Sequence, residues 1–324
     1  MLKVLVTGAT GQLGSGLVDS LVERGHGVRA LVLESEDTAD LRNKGVEICV
    51  GDLCEADSIR AAADGMEVVF HAAGLVAYSP SLRPLLEAVN VEGTRNVVEA
   101  CVDAGVRRLV YSSTIGALGY VEGEGEGDEK TTFNWNRRLL PYFDTKERAE
   151  ALVLGQEGVE AVALNPGIMI GPEDRNRNAS MLLDRVANSQ VTSLLAGATT
   201  LATRRDIVDG HLLAMENGRP SERYILGGTA ISWNELFERV AAVVGGTVPT
   251  RGLPQWVLFL AAYADSLRVA MTGAPSRWTH QFAEISRRNR KFSSNKAVSE
   301  LGYSPSPLEE GLEACWSWAQ AQGE

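Results

Sequence analysis

A glycine-rich turn close to the start of the chain constrains the fold of this 324-residue protein more than any other feature. A short β-prone run, residues 2–6, leads into TGATGQLG at residues 7–14, and a helical pattern follows. In such a turn one glycine permits the tight bend, one lets the backbone approach a pyrophosphate and one lets the helix pack on the strand. Gly8, Gly11 and Gly14 have this GxxGxxG spacing. The segment therefore predicts a dinucleotide site with its phosphates at a helix N-terminus.

Alternating strand and helix patterns extend this unit along the chain. Further β-prone runs occupy residues 28–33, 46–50, 68–72, 108–112, 160–165 and 222–226. Helical patterns occupy residues 89–104, 142–154, 178–187, 232–244, with Ser232 as N-cap, and 308–321. Because the early strands are apolar at consecutive positions, helices should cover both sheet faces. The pattern predicts an α/β Rossmann fold, a doubly wound parallel sheet over residues 1–172. A smaller C-terminal α/β substrate lobe should occupy mainly residues 173–324, with sheet returns at about 200–228.

Composition and charge exclude several classes of partner. The formal net charge is −11, and an acidic chain repels nucleic acid. None of the four cysteines forms a CxxC pair, which argues against a disulfide scaffold, a zinc site or any other metal site. With no secretory signal pattern at the N-terminus, we expect a cytoplasmic protein that acts on a small molecule. An apolar stretch at residues 253–271 is too short for a membrane span. It could cap an apolar substrate or touch a membrane surface, but a helix packed on its own domain is favoured.

The ends of the third and fourth strands carry candidate cofactor contacts. Asp52, followed by Leu53, could accept a hydrogen bond from an adenine amino group or cap a helix from Ser58, and the adenine role is favoured. His71 is followed by Ala72, Ala73 and Gly74, whose small size lets a dinucleotide lie close to the strand ends. For His71 itself a core position is the preferred interpretation.

A tyrosine and a lysine four residues apart supply acid–base chemistry. Tyr142 and Lys146 share one face of a helix, where the ammonium would lower the phenol pKa. Ser112, Ser113 and Thr114 end the fifth strand, so their hydroxyl groups should face the ligand crevice. Thr114 could orient a substrate oxygen for proton transfer by Tyr142.

Together these motifs resemble the extended short-chain dehydrogenase/reductase superfamily, the NAD-dependent epimerase/dehydratase type. The motifs are TGATGQLG, GDL at 51–53, VVFHAAG at 68–74, VNVEGTRNVVEAC at 89–101, LVYSST at 109–114, YFDTK at 142–146 and NPGIMIGP at 165–172. RDIVDGHLLAM at 205–215 and RYILGG at 223–228 are similar to the dihydroflavonol reductase and 3β-hydroxysteroid dehydrogenase branch. The resemblance implies a tetrad of Asn90, Thr114, Tyr142 and Lys146, with Asn90 holding a proton-relay water.

The resemblance also implies two sets of ligand contacts. Lys146 would hold the nicotinamide ribose, and Pro166, Gly167 and Ile168 would lie along the nicotinamide. The full cofactor set is Gly8, Thr10, Gly11, Gln12, Leu13, Gly14, Asp52, Leu53, His71, Ala72, Ala73, Gly74, Ser112, Ser113, Tyr142, Lys146, Pro166, Gly167 and Ile168. The substrate set is Thr114, Tyr142, Val76 and Met169.

The choice between NAD and NADP rests on charge. Val32 and Leu33 stand where relatives carry an aspartate or an arginine that marks the cofactor. Glu34, Glu36 and Asp37 follow and would repel a 2′-phosphate, which favours NAD. The cluster could equally be a solvated loop.

Three functions stay open from the sequence. The first is an oxidoreductase that reduces a ketone or aldehyde of a small apolar substrate, or oxidises the alcohol. The second is a nucleotide-sugar epimerase with tightly bound NAD, although Ile115-Gly116 replace the acidic pair of related dehydratases. The third is a non-enzymatic redox sensor.

Two further expectations concern basic residues and assembly. Arg204 and Arg205 could bind a sugar-nucleotide phosphate, although a surface pair between Arg205 and Asp206 is favoured. By analogy with relatives, helices 89–104 and 142–154 would form a homodimer interface.

Overall fold

Seven parallel strands form the main sheet. The computed structural model describes residues 1–175, 177, 179–191, 193–249, 252, 257, 260, 263, 268 and 280–323. The strands are β1 (Lys3–Thr7), β2 (Gly27–Val32), β3 (Glu47–Val50), β4 (Val68–His71), β5 (Arg108–Ser112), β6 (Glu160–Pro166) and β9 (Glu222–Leu226). Their order in the sheet is β3-β2-β1-β4-β5-β6-β9. The order reverses between β1 and β4, which makes this the crevice where doubly wound sheets bind ligands. The Rossmann architecture predicted from the sequence is confirmed.

Helices cover both faces of this sheet. The α-helices among the described residues are α1 (Gln12–Glu23), α2 (Ala39–Asn43), α3 (Ala56–Ala63), α4 (Arg83–Leu86), α5 (Gly93–Asp103), α6 (Pro141–Gly155), α7 (Ser180–Ala187), α8 (Arg204–Asn217), α9 (Trp233–Val244), α10 (His280–Ser286), α11 (Asn295–Leu301) and α12 (Leu308–Gly323). One core cluster joins α1 and α8 to one face of the sheet, and a second joins α3, α5 and α6 to the other. Ser232 caps α9 as the sequence predicts, because its Oγ accepts a hydrogen bond from the Glu235 N–H at 3.2 Å.

A second sheet of three strands supports the substrate side of the crevice. It contains β7 (Ile168–Ile170), β8 (Ala198–Thr203) and β10 (Thr229–Ser232), in the order β10-β8-β7. None of these three strands is predicted from the sequence, because β7 and β10 are short and β8 has no clear alternating pattern. The segment at about 200–228, where the sequence predicts sheet returns, contributes to both sheets: β8 lies in the small sheet, while β9 pairs with β6.

The helix predicted over residues 89–104 has an interruption. A π-helix spans Glu87–Glu92 and α5 begins at Gly93. Such π-helical turns are frequent at functional sites, and this one contains Asn90. The apolar stretch predicted over residues 253–271 lies almost wholly outside the described residues. Within the described part of the chain, no helix has the length and apolar character needed to cross a bilayer.

Candidate active site

The glycine turn is shaped so that a ligand's phosphates can approach its backbone. Gly8 has a φ of +68°, a left-handed conformation that glycine tolerates best. A Cβ atom on Gly8 would lie 2.8 Å from the Cα of Ala73, and one on Gly14 would overlap the Gly8 carbonyl oxygen. Gly11 is the N-cap of α1, and its residue type leaves the first N–H groups of the helix without a side-chain cap. These features fit a bound pyrophosphate, as the sequence predicts.

An acidic side chain lies directly beside this turn. Glu36 accepts hydrogen bonds from the Thr10 hydroxyl at 2.6 Å and from the Leu33 N–H at 2.8 Å. Glu36 and Thr10, together with Gly11, Gln12 and Asp37, line a cavity of about 290 Å³. Of the acidic cluster in the sequence, Glu36 is therefore the member fixed against the turn.

Arg204 holds the start of α1, directly after the glycine turn, through two hydrogen bonds. Its Nε donates to the Gln12 carbonyl at 2.7 Å, and its Nη2 donates to the Ser15 hydroxyl at 2.9 Å. Because both guanidinium contacts go to α1, a role for Arg204 in binding a sugar-nucleotide phosphate is not supported. The predicted surface pair of Arg205 with Asp206 is wrong. Asp206 is buried and accepts hydrogen bonds from Ser306, while Arg205 is exposed and approaches Asp209 at 3.9 Å.

The acid–base candidates meet at one cleft of about 220 Å³ at the carboxyl ends of β1, β4, β5 and β6. Its lining contains both predicted catalytic side chains of α6 and the predicted substrate contacts Val76 and Met169. The lining residues are Leu13, Ala72, Ala73, Gly74, Val76, Ser112, Ser113, Thr114, Tyr142, Lys146, Pro166, Gly167, Met169 and Ile207. Ala72 and Pro166, 94 positions apart in the chain, thus converge because the parallel strands β4 and β6 end at this edge.

Lys146 is buried in the wall of this cleft. Its Nζ donates to the Ser112 carbonyl at 2.6 Å and lies 4.2 Å from the centre of the Tyr111 ring. Burial lowers the pKa of Lys146 to about 7, against a smaller opposing effect of Glu150. An ammonium with this pKa exchanges its proton readily near neutral pH.

Tyr142 differs from the expectation in its acidity. Burial raises the pKa of the Tyr142 phenol, and the neighbouring Tyr78 raises it further. The lowering by Lys146 predicted from the sequence is absent in this state, because the Lys146 ammonium is turned toward Ser112. The Tyr142 ring is partly buried and packs edge-on against Tyr78 at 5.6 Å between centroids. In this state Tyr142 is therefore a proton donor.

Asn90 and Thr114 are held by contacts of their own. The Asn90 side chain accepts from the Leu75 N–H at 2.8 Å and donates to the Leu75 carbonyl at 2.9 Å, clamping the loop after β4. Its amide also lies 3.3 Å from the Thr145 hydroxyl. The Thr114 hydroxyl accepts from the Gly116 N–H at 3.1 Å, which leaves its own proton free to be donated.

A buried carboxylate behind the cleft is absent from the sequence-based site. Glu150 accepts a hydrogen bond from Asn165 at 2.6 Å and pairs with Arg223 at 3.1 Å. The same Asn165 amide donates to the Thr114 carbonyl at 3.1 Å. Burial raises the pKa of Glu150. The one sequence signal was that Glu150 stands four residues after Lys146, on the same helix face.

Two predicted cofactor contacts take structural roles. His71 is fully buried: its Nδ1 lies 2.8 Å from the Thr7 hydroxyl and its Nε2 lies 3.0 Å from the Thr94 hydroxyl. The preferred core position is correct, and its side chain does not reach the crevice. Leu53 is buried, its Cβ close to Gly93.

Asp52 does not cap a helix at Ser58. Its Oδ1 accepts from the Cys54 N–H at 2.8 Å, and α3 begins at Ala56 with Glu55 as its N-cap. The alternative capping role is therefore excluded, and contact with adenine stays a prediction.

Comparisons with known proteins place this fold and site in a family. The family model of the 3-beta hydroxysteroid dehydrogenase/isomerase family matches residues 5–214. A protein of Synechocystis sp. named "Putative dihydroflavonol 4-reductase" is 31% identical over 98% of this chain and 94% of its own length. Sterol demethylase protein B of Methylococcus capsulatus is 30% identical over 99% of both chains.

Solved structures agree with this placement. The crystal structure of gox2253 has a TM-score of 0.83 and 32% identity, over 100% of this chain and 99% of that one. The structure of MoeE5 in complex with UDP-glucuronic acid and NAD has a TM-score of 0.76 and 26% identity, over 99% of both chains. The resemblance inferred from the sequence motifs is confirmed.

Proposed function

The chain belongs to the 3-beta hydroxysteroid dehydrogenase/isomerase family, within the extended short-chain dehydrogenase/reductase superfamily, and from that membership we propose its reaction. It is a nicotinamide-dependent enzyme of the oxidoreductase type. We infer that it interconverts a ketone or aldehyde and the corresponding alcohol on a small, apolar substrate. The observation that carries this proposal is the convergence of Thr114, Tyr142 and Lys146 with Pro166 and Gly167 on one cleft.

The glycine turn and the strand ends would hold the cofactor. Gly11 and the N-terminus of α1 would bind its pyrophosphate, and Pro166 and Gly167 would contact its nicotinamide. A nicotinamide bound there would supply or accept the hydride. The carboxylate of Glu36 can accept a hydrogen bond from a ribose hydroxyl and repels a 2′-phosphate, so NAD is preferred over NADP.

The proton moves through side chains of α6 and β5. In the reducing direction the Tyr142 hydroxyl donates its proton to the substrate oxygen as the carbonyl carbon is reduced. Thr114 donates a hydrogen bond to the same oxygen and orients it. Lys146 then offsets the phenolate charge on Tyr142, and its pKa of about 7 lets it return a proton near neutral pH.

The apolar character of the substrate is supported by the cleft wall. Leu13, Val76, Met169 and Ile207 contribute apolar surface around the acid–base groups. Val76 stands at the mouth of the cleft with 52% of its surface exposed. A substrate that covered Val76 and Met169 would remove apolar area from water, which favours binding by about 25 cal/mol per Å² of buried surface.

Replacing the proton donor tests the proposal. Tyr142→Phe removes one hydroxyl and should lower the turnover of a carbonyl substrate by about 100-fold or more, while NADH binding is kept. Tyr224→Phe is the matched control, because the Tyr224 hydroxyl bonds Glu300 away from the cleft. Activity would be followed by NADH absorbance over a carbonyl panel, with binding measured by NADH and NADPH titration. Full turnover in Tyr142→Phe would exclude the assignment.

A nucleotide-sugar epimerase is the second candidate, and the 26% identical structure with UDP-glucuronic acid and NAD favours keeping it. Such an enzyme would retain its cofactor through purification, since oxidation and reduction occur on one substrate. Native mass spectrometry separates the two. A protein that carries bound NAD and interconverts sugar nucleotides without added cofactor would displace the reductase proposal.

A further inference from the structure

Arg290 is a buried cation to which the described part of the chain offers no counter-charge. Only 5% of its surface is exposed, and no described residue forms a hydrogen bond with its Nε. Among the described residues its side chain forms no ion pair. The neighbouring Arg287 and Arg288 differ, because both are partly exposed and both bind Glu284. Arg290 is therefore the buried arginine of this basic segment, and no described acidic group neutralises its charge.

The segment that carries Arg290 runs beside the proposed reaction cleft. Ile285 packs in one cluster with Tyr142 and Phe143, and Phe292 packs in another with Ile115, next to Thr114. Between them, the Arg290 N–H donates to the Ala198 carbonyl at 3.0 Å, and the Thr200 hydroxyl donates to the Arg290 carbonyl at 3.1 Å.

Contacts on both sides of Arg290 lead back to the cleft. The backbone of Thr200 lies against Gly167, where a Cβ would overlap it, and Gly167 lines the cleft. On the other side the Arg290 guanidinium interacts electrostatically with Tyr78, whose ring packs edge-on against Tyr142. Arg290 is thus held near the proton donor by its backbone and by Tyr78.

Burying a charged guanidinium in this way is unfavourable in free energy. Burial lowers the pKa of Arg290 to about 10, so the guanidinium stays protonated at neutral pH. A buried charge without a partner destabilises a fold, whereas an anion bound to it recovers strong, charge-assisted hydrogen bonds. A ligand that carries a negative charge would therefore explain why an arginine occupies this buried position.

We propose that Arg290 binds a carboxylate carried by the substrate, close to the carbon that exchanges hydride. The inference rests on the proposed oxidoreductase function and names the substrate class as an oxo acid or hydroxy acid with an apolar body. A single unpaired guanidinium matches a single negative charge. The planar fork of arginine donates two parallel hydrogen bonds to a carboxylate, which fixes the substrate's orientation as well as its charge.

Matched pairs of acids and methyl esters test this proposal. Apolar oxo acids and their esters would be assayed with NADH on the wild type and on Arg290→Gln and Arg290→Lys. The wild type should favour the acid in kcat/KM by about 10- to 100-fold, the range of a charge-assisted hydrogen bond. Arg290→Gln should bring that ratio close to one through loss of the acid. Arg290→Lys should keep part of the preference, and Lys291→Gln, its neighbour in the chain, should leave the ratio unchanged.

A thermal measurement keeps the proposal testable without any substrate. Because no described residue pairs with the Arg290 guanidinium, Arg290→Gln should unfold at the same or a higher temperature than the wild type. A lower unfolding temperature, with acid and ester turnover lost in parallel, would make Arg290 a structural residue and overturn the inference. Equal kcat/KM values of the wild type for acid and ester would overturn the carboxylate proposal but leave the oxidoreductase proposal standing. If UDP-glucose bound in an Arg290-dependent manner, the ligand of Arg290 would be a diphosphate and the carboxylate proposal would be wrong. If no carbonyl compound were reduced, both the oxidoreductase proposal and the carboxylate proposal would be wrong.

Discussion

Lys146 shows how burial sets the chemistry of one side chain. Only 5% of the residue's surface is exposed, and the groups that its ammonium contacts are a carbonyl oxygen and an aromatic ring, neither of which carries a full negative charge. Since burial penalises the charged form, the pKa of Lys146 falls to about 7. A lysine at this pKa can carry a proton in both directions at neutral pH, which an exposed lysine cannot.

The lowered pKa of Lys146 makes a prediction about stability. Between about pH 7 and pH 10.5 the unfolded chain binds a proton at this lysine that the folded protein does not, so this residue's contribution to stability should increase as pH rises. Relative to Lys146→Met, the wild type should therefore gain free energy of unfolding from pH 7 to pH 9.5, measured in urea. Lys130→Met, at an exposed position, should follow the wild type. A constant difference between wild type and Lys146→Met would contradict the assigned shift.

The parts of the site that could be predicted from the sequence are those formed by whole secondary-structure elements with a local sequence pattern. The glycine turn and the strand ends at residues 72–74 and 112–114 could be predicted because local patterns place them at one sheet edge. The role of Glu150 could not, since it depends on Arg223, 73 positions later. The small sheet escaped prediction because β7 has only three residues and β8 is buried throughout. Similarly, nothing local marks the difference between Arg290 and its paired neighbours.

The close packing of the glycine turn on α1 leads to a second prediction. A methyl group at Gly14 overlaps the Gly8 carbonyl oxygen, which is backbone and cannot move aside alone. Gly14→Ala should therefore lower NADH affinity by at least about 10-fold and lower stability by about 1–3 kcal/mol. Gly155→Ala at the end of α6 is the control, because nothing lies within 4 Å of its added methyl group. Unchanged NADH titration of Gly14→Ala would argue against a phosphate site at this turn.

At the scale of the whole molecule, the C-terminal part is fastened to the main sheet through α8. Helices α8 and α11 pack into the same core as β1 and β4, so residues beyond 172 complete the Rossmann layer as well as the substrate side. Asp206 in α8 accepts from the Ser306 N–H at 2.9 Å and from its hydroxyl at 2.8 Å. This buried carboxylate connects the segment before α12 to the helix behind the glycine turn. The homodimer through helices 89–104 and 142–154 remains a prediction.

Removing that connection should weaken the whole fold. Asp206→Ala leaves the N–H and hydroxyl of Ser306 without their acceptor, and each lost buried partner costs about 1–3 kcal/mol. We expect the unfolding temperature to fall clearly in thermal denaturation followed by circular dichroism. Asp209→Ala removes a half-exposed carboxylate three residues away and should change stability by less than about 0.5 kcal/mol. Equal decreases in unfolding temperature for the two substitutions would show that the contact with Ser306 does not stabilise the fold.

The buried His71 has a wider consequence for how the protein responds to its surroundings. The Thr94 hydroxyl donates to the Asn90 carbonyl, so it must accept a hydrogen bond from the Nε2–H of His71. The Nδ1 of the same ring then accepts from the Thr7 hydroxyl, which in turn accepts from the Ala73 N–H. These bonds all point the same way, so their dipoles are aligned from Ala73 at the crevice to Asn90 in the π-helix. With the pKa of His71 at about 3, acidification within the cellular range cannot reverse that alignment. The hydrogen bonds of His71 should therefore not change with pH, while Lys146 in the cleft titrates near pH 7.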